Sequence, residues 1–241
     1  MSTWSDSSLK KSARLRLLAV LVRQISCRRL VDIGSDHASV PLALLREGCC
    51  QSVLVTDIRQ GPLSVATRRA LEEGRGEEFQ TKRTDGLDGI TLEKDDVLLI
   101  SGLGGDTIAG ILESQPVQVL IPKRIIVQPQ SKEEIVRSAF MRTGLAITDE
   151  QCVEDRGRLY LVMISDRLTF RPVQMNDLEL YFGPVILSRM AKAEKEPLLH
   201  KYLAERIRRL KNQAAYDRAS AKLLQAFEQS FPISYNRQDQ Y

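Results

Sequence analysis

The sequence predicts an α/β fold: five parallel strands wound with helices, closed by an antiparallel hairpin and followed by a helical C-terminal region. Three observations predict it. Five candidate strands, at 29–33, 52–58, 79–84, 96–101 and 123–128, alternate with helical patterns, and runs such as VLVTD, LLIS and RIIV are short and apolar, as strands covered on both faces should be. Two further runs, 145–153 and 158–166, flank Glu154-Asp155-Arg156-Gly157. A turn that short joins antiparallel neighbours, because a parallel crossover needs about a dozen residues or more. Residues 171–230 show no strand pattern and repeat their apolar residues at helical spacing.

The elements follow in order. Residues 8–26 set Leu15, Leu18, Val22 and Ile25 on one stripe among Lys and Arg, which predicts an amphipathic helix. Helices are expected at 39–48, 61–74, 106–114 and 131–143. Gly61-Pro62 suits the start of the second. Ser131 with Glu134 reads as a capping box for the last. Leu199, Leu203, Ile207, Leu210, Ala214, Ala221 and Leu224 predict a long helix with a seam, interrupted only at Asp217. A helix near 174–190 is expected to pack on it as a coiled-coil-like hairpin, and the tail after Phe231 is polar. The expected domains are therefore 1–168 and 169–241.

A chain of 241 residues, 43% hydrophobic and 27% charged, suits one large domain with an appendage. No apolar run reaches the roughly 18 residues of a membrane span. The N-terminus has basic residues inside its apolar stretch and does not read as a signal peptide. Cys27, Cys49, Cys50 and Cys152 make no CxxC and no ligand-spaced set with the two histidines. Reduced thiols in a cytoplasmic protein, with no structural metal, are expected. The net charge of +4 is uneven. Residues 1–31 carry seven Lys/Arg against one acid, and residues 189–218 carry nine against four. Two basic ends around an acidic middle suggest a polyanion that touches both; solvated helix faces would give the same pattern.

The most informative stretch is LVDIGSDHASVP, residues 30–41. A strand ending in Asp32, a turn at Gly34 and a helix start near Ser39 open a nucleotide-binding α/β unit. It is not a dinucleotide fingerprint, because Asp36 and Ser39 stand where GxGxxG needs glycine. Helix N-terminal amides favour a pyrophosphate, and a carboxylate in the turn opposes one. The turn therefore suits a ligand without phosphates, and a nicotinamide dehydrogenase is disfavoured.

In an open parallel sheet the ligand sits beyond the carboxyl ends of the strands. Asp32 closes strand one. Asp57 closes strand two, 25 positions later, where an acid takes ribose hydroxyls. Asp85-Gly86 follows strand three, a place for an adenine amine contact. Ser101-Gly102-Leu103-Gly104-Gly105 follows strand four. Each acid alone reads as a turn residue or cap; four strand ends in order, each with Asp or a Gly-rich turn, read as a site. Five parallel strands closed by a hairpin is the class I (Rossmann-like) methyltransferase topology.

DIGSDHASVP (32–41), Gly61-Pro62, Asp85-Gly86-Leu87, SGLGG (101–105), VQPQ (127–130) and LYFGPVIL (180–187) occur in that order. With these motifs the chain resembles the bacterial tRNA adenine-N1 methyltransferases that modify position 22, the TrmK family. The match runs from about Leu9 into the C-terminal helices. The resemblance implies S-adenosylmethionine as methyl donor, tRNA as substrate, and a C-terminal coiled coil that helps hold the tRNA. It implies a donor site at Asp32, Gly34, Ser35, Asp57, Asp85, Gly86, Gly102 and Gly104. The chain departs from the family's pattern at Asp57, often Glu; at Leu103, within the usual GMGG; and at Gln130, where the family has the asparagine of QPN.

Adenine N1 carries an in-plane lone pair, so methylation needs positioning and charge handling more than a base. Positive charge spreads to the exocyclic amine as the methyl transfers. Asp36 is the candidate carboxylate to accept from that amine; the alternative is a cap for the helix near residue 39, a role Ser39 could fill. His37 is expected to hold the turn. Arg14, which matches the family's Arg-Leu pair, reads as a tRNA-phosphate or active-site contact, or as a solvated helix residue. Arg206, Arg208, Arg209 and Lys211 read as phosphate contacts or as a solubilising face. Tyr160 is expected to pack in the core rather than stack on a base. Two other functions remain open: a methyltransferase of another RNA or a small molecule, and an inactive RNA-binding member of the fold. Retained Asp57, Asp85 and Gly104-Gly105 argue against inactivity. The sequence names no protein partner.

Overall fold

The computed structural model describes residues 7–34, 38–167, 174–192 and 196–231. The chain divides into two compact units, Met1–Val173 and Gln174–Tyr241. The expected boundary after residue 168 lies outside the described residues.

The first unit runs α1 (Ser7–Lys11), α2 (Ala13–Arg23), β1 (Cys27–Ile33), α3 (Ser39–Arg46), β2 (Cys50–Asp57), α4 (Gln60–Glu72) and β3 (Phe79–Arg83). It continues with β4 (Asp96–Leu103), α5 (Gly105–Leu112), α6 (Gln115–Val119), β5 (Arg124–Pro129), α7 (Glu133–Arg142), β6 (Asp149–Asp155) and β7 (Arg158–Asp166). Among the described residues the strands form one sheet, in the order β3-β2-β1-β4-β5-β7-β6. β1 to β5 pair in parallel, while β7 runs antiparallel to both β5 and β6. The five expected strands and the expected hairpin are therefore present. Leu30, Val31, Val97, Leu98, Ile100, Ile126 and Val127 are buried. Each such side chain contributes about 1.5–3 kcal/mol by leaving water, which explains why short apolar runs marked the strands.

Two expectations in this unit fail where distant segments meet. The helix expected over 8–26 breaks at Ser12, whose backbone is extended (φ −125°, ψ 112°). Ser12 Oγ accepts from Leu15 N–H, capping α2, and donates to Asp155 Oδ2 at 2.7 Å. The capping box at Ser131 and Glu134 does not start α7. Lys132 holds the N-cap position with a left-handed φ of 57°. A Cβ on Gly105 would lie 2.5 Å from Lys132 O and 2.7 Å from Ser131 O. The N-terminus of α5 thus presses on this backbone, turns it, and delays α7 to Glu133. The hairpin tightens to a two-residue turn, since Asp155 pairs with Arg158. Arg156 and Gly157 both take positive φ, 52° and 74°, as in the primed turns that match strand twist.

The second unit contains α8 (Asp177–Phe182), α9 (Pro184–Ala191), α10 (Pro197–Ala214) and α11 (Arg218–Ser230). The helix expected near 174–190 is split by Gly183 (φ 110°) and Pro184. The long seamed helix is also two helices. Asp217 caps α11 by accepting from Ala219 and Ser220 N–H, and the Ser220 hydroxyl, before these amides, holds its carboxyl below the usual carboxylate range. Leu199, Leu203, Ile207 and Leu210 are buried as the seam predicts, but Ala221 is exposed. α10 and α11 fold back on one another, and α8 packs on α11 with the Phe182 and Phe227 rings 4.5 Å apart. Among the described residues no helix is long and apolar enough to cross a membrane.

Candidate active site

The strand order reverses between β1 and β4, and an open α/β sheet binds its ligand at the carboxyl ends beside such a point. A cleft of about 690 Å³ opens there, within the roughly 300–1,000 Å³ of small-molecule sites. Asp32, Gly34, Asp57, Gly102 and Leu103 line one side. Gly34 takes a φ of +76°, and a Cβ there would lie 2.9 Å from Leu103 Cδ2. The turn after β1 therefore lies directly against the end of β4. Asp57 is 6% exposed. Its Oδ1 accepts from Arg59 N–H at 2.7 Å and from Arg59 Nε at 3.3 Å. Asp32 is 1% exposed on the same floor. Two carboxylates on the cleft floor suit hydroxyl donors and cationic groups.

Asp85 and Gly86 do not line this cleft. They line a neighbouring hollow with Ile58, Asp106 and Ile111. Thr56 Oγ1 donates to Gly86 O at 3.1 Å, tying the loop after β3 to β2. The residues after Asp57 are shared between the two spaces: Arg59 lines the cleft and the exposed Ile58 the hollow. Gly104 stands at the N-cap of α5, where its carbonyl accepts from Ile108 N–H at 3.1 Å. Ser35, Asp36 and His37 lie outside the described residues. Ala38 follows them with a left-handed φ of 51°. Ser39, an alternative cap in the sequence, instead accepts from Arg69 Nη1 at 3.3 Å.

The opposite wall comes from the N-terminal helices and the β6–β7 turn: Lys11, Arg14, Asp155, Arg156 and Tyr160 line the same cleft. Arg14 is thus a cleft residue. Its Nη1 donates to Gln128 Oε1 at 2.8 Å, and its guanidinium carbon lies 5.3 Å from the Tyr160 ring centre. Gln128 is fully buried, and its Nε2 donates to Pro129 O at 2.7 Å. Gln130 also lines the cleft. Tyr160, expected in the core, is half-buried with its ring at the cleft wall. The sequence held two signals for this wall. Gln128 is a polar residue closing an apolar strand, and Arg156 sits where a two-residue turn favours Asn or Asp.

In the helical unit, Arg208, Arg209 and Lys211 are exposed on α10. Arg206 corrects the sequence expectation, because it is only 5% exposed. Its guanidinium carbon lies 3.8 Å from the Tyr181 ring centre, and Nη2 donates to Tyr181 O at 2.8 Å. The helical register that turns Ile207 and Leu210 inward takes Arg206 with them, and the aromatic face compensates its burial.

Known proteins share this architecture. The methyltransferase domain family matches residues 11–163. A Bacillus subtilis (strain 168) protein named tRNA (adenine(22)-N(1))-methyltransferase is 27% identical over 199 residues, 83% of this chain and 82% of that one. Streptococcus pneumoniae Sp1610 in complex with S-adenosyl-L-methionine superposes with a TM-score of 0.76 at 24% identity, over 90% of this chain and 98% of that one. M. capricolum TrmK in complex with S-adenosyl-homocysteine gives 0.70 at 21% identity, over 92% and 94%. These two structural likenesses bear on the fold.

Proposed function

The chain belongs to the methyltransferase domain family, and from that premise we propose that it transfers a methyl group from S-adenosylmethionine to N1 of adenine 22 in tRNA. The observation that carries this is the floor of the cleft, where Asp32 and Asp57 stand buried at adjacent strand ends beside Gly34 and Gly102. Similarity to the Bacillus subtilis enzyme over most of both chains supports the choice of target.

The donor set fits the cofactor. S-adenosylmethionine supplies a sulfonium methyl group to an electron-rich acceptor. Asp57 suits a ribose diol, since a carboxylate accepts two hydroxyl hydrogen bonds. Asp32 adds negative charge where a cationic ligand would lie. Asp85 and Gly86 suit the adenine end, in the hollow next to the cleft. Gly104 acts through the start of α5 rather than from the cleft surface. Adenine N1 offers its lone pair without prior deprotonation, so the chain's contribution is alignment and charge. Asp36 is the carboxylate proposed to accept from the exocyclic amine as positive charge grows on the ring. Arg208, Arg209 and Lys211 are proposed to meet tRNA phosphates, and Arg206 is not. The expected place of action is the cytoplasm, where tRNA is the substrate.

The test is incubation with unmodified tRNA transcript and isotopically labelled S-adenosylmethionine, followed by nucleoside mass spectrometry. N1-methyladenosine at position 22 is expected. A different methylated base, or no methylation by protein that binds the donor, overturns the assignment.

A further inference from the structure

We propose that the β6–β7 turn is the acceptor-side clamp of the cleft: the Tyr160 ring takes the target base by stacking, and Arg156 takes a neighbouring phosphate. This rests on the tRNA reaction assigned above and adds residues to it.

Arg156 holds a left-handed φ of 52°. For an L-residue with a long side chain this conformation costs about 1–2 kcal/mol, and Asn or Gly at the same place would be cheaper. The side chain is exposed and lines the cleft. It makes no hydrogen bond or ion pair among the described residues. A strained arginine facing a cleft with its donors uncommitted is suited to an incoming anion.

Tyr160 stands on the same wall. Arg14 and Arg158 approach its ring centre at 5.3 and 5.2 Å. Both are held from elsewhere, Arg14 by buried Gln128 at 2.8 Å and Arg158 by Gln130 O at 2.9 Å. The ring is thereby positioned before any ligand arrives. A neutral aromatic face accepts a base by stacking whatever the base. The division of labour follows: the phenol ring receives the base, and the arginine receives backbone phosphate.

The turn is also fixed in place. Asp155, the residue before Arg156, accepts from Ser12 Oγ at 2.7 Å and from Ala13 N–H at 3.1 Å. The clamp is thus joined to the helix that carries Arg14, and its geometry is set in advance.

The experiment compares wild type with Tyr160→Phe, Tyr160→Ala and Arg156→Asn. Three readouts are taken: calorimetric S-adenosylmethionine binding, single-turnover methylation, and fluorescence of tRNA carrying 2-aminopurine at position 22. Wild type and Tyr160→Phe should quench the 2-aminopurine on binding, as stacking does. Tyr160→Ala should bind donor normally, fail to quench, and methylate at least about tenfold more slowly. Should Tyr160→Ala melt well below wild type, Tyr160→Leu, with bulk but no aromatic face, carries the same comparison. Arg156→Asn should raise the melting temperature while weakening tRNA binding and sparing donor binding. A wild type that methylates tRNA, beside a Tyr160→Ala variant with full quench and full rate, overturns the base platform. An Arg156→Asn variant with wild-type tRNA affinity overturns the phosphate contact. A wild type that quenches the probe yet transfers no methyl overturns the assigned reaction and supports the clamp.

Discussion

Arg14 Nη1 donates to Oε1 of the fully buried Gln128 at 2.8 Å, joining the N-terminal helix to the end of β5 across 114 residues of sequence. The contact holds Arg14 in the cleft wall beside Tyr160. Arg14→Ala leaves the Gln128 carbonyl oxygen without this donor inside the protein, a loss of about 1–3 kcal/mol. Urea unfolding should show that loss, and methylation should fall with donor affinity retained. Unchanged stability and rate would return Arg14 to a solvated helix face.

On the proposed donor site, Asp57→Ala removes a buried acceptor from two ribose hydroxyls, worth about 1–3 kcal/mol each, so S-adenosylmethionine binding should weaken at least about tenfold. The substitution also releases the Arg59 N–H that Asp57 holds at 2.7 Å. Affinity for tRNA should change little. Calorimetry that finds the donor bound as tightly as before removes Asp57 from the site.

Asp36→Asn keeps the side-chain shape and a carbonyl acceptor but removes the charge. The single-turnover rate should fall by about 10²–10³, the effect of losing one preorganised electrostatic partner. Donor and tRNA dissociation constants should move far less. A near wild-type rate with an unchanged melting curve removes Asp36 from the chemical step.

Replacing Arg208, Arg209 and Lys211 together by alanine should lower tRNA affinity and reduce its salt dependence by about one slope unit for each phosphate no longer neutralised. Binding titrations across about 50–200 mM salt measure this. Arg206→Ala should behave differently. It removes the bonding to Tyr181 inside the helical unit, so thermal stability should fall while the salt slope stays. A triple variant with the wild-type slope would show that α10 does not meet phosphate.

The strands, the hairpin and the strand-end acids were legible because each depends on nearby residues. A buried strand needs a short apolar run, and a carboxylate at its end needs only to follow that run. Asp32 and Asp57 therefore lie at strand ends as the runs predict. The sequence by itself thus determined the element types, the sheet class and the floor of the cleft. Tertiary structure decided the wall. Asp155 breaks the first helix at Ser12 from 143 residues away. The backbone of α5 shifts the start of α7 through Gly105. Tyr160 leaves the core for the cleft, and Arg206 leaves the surface for the face of Tyr181. Periodicity assigns a residue to a face of its own element. What covers that face depends on packing between segments far apart in the chain, and a strained residue such as Arg156 shows its conformation only once the turn is closed.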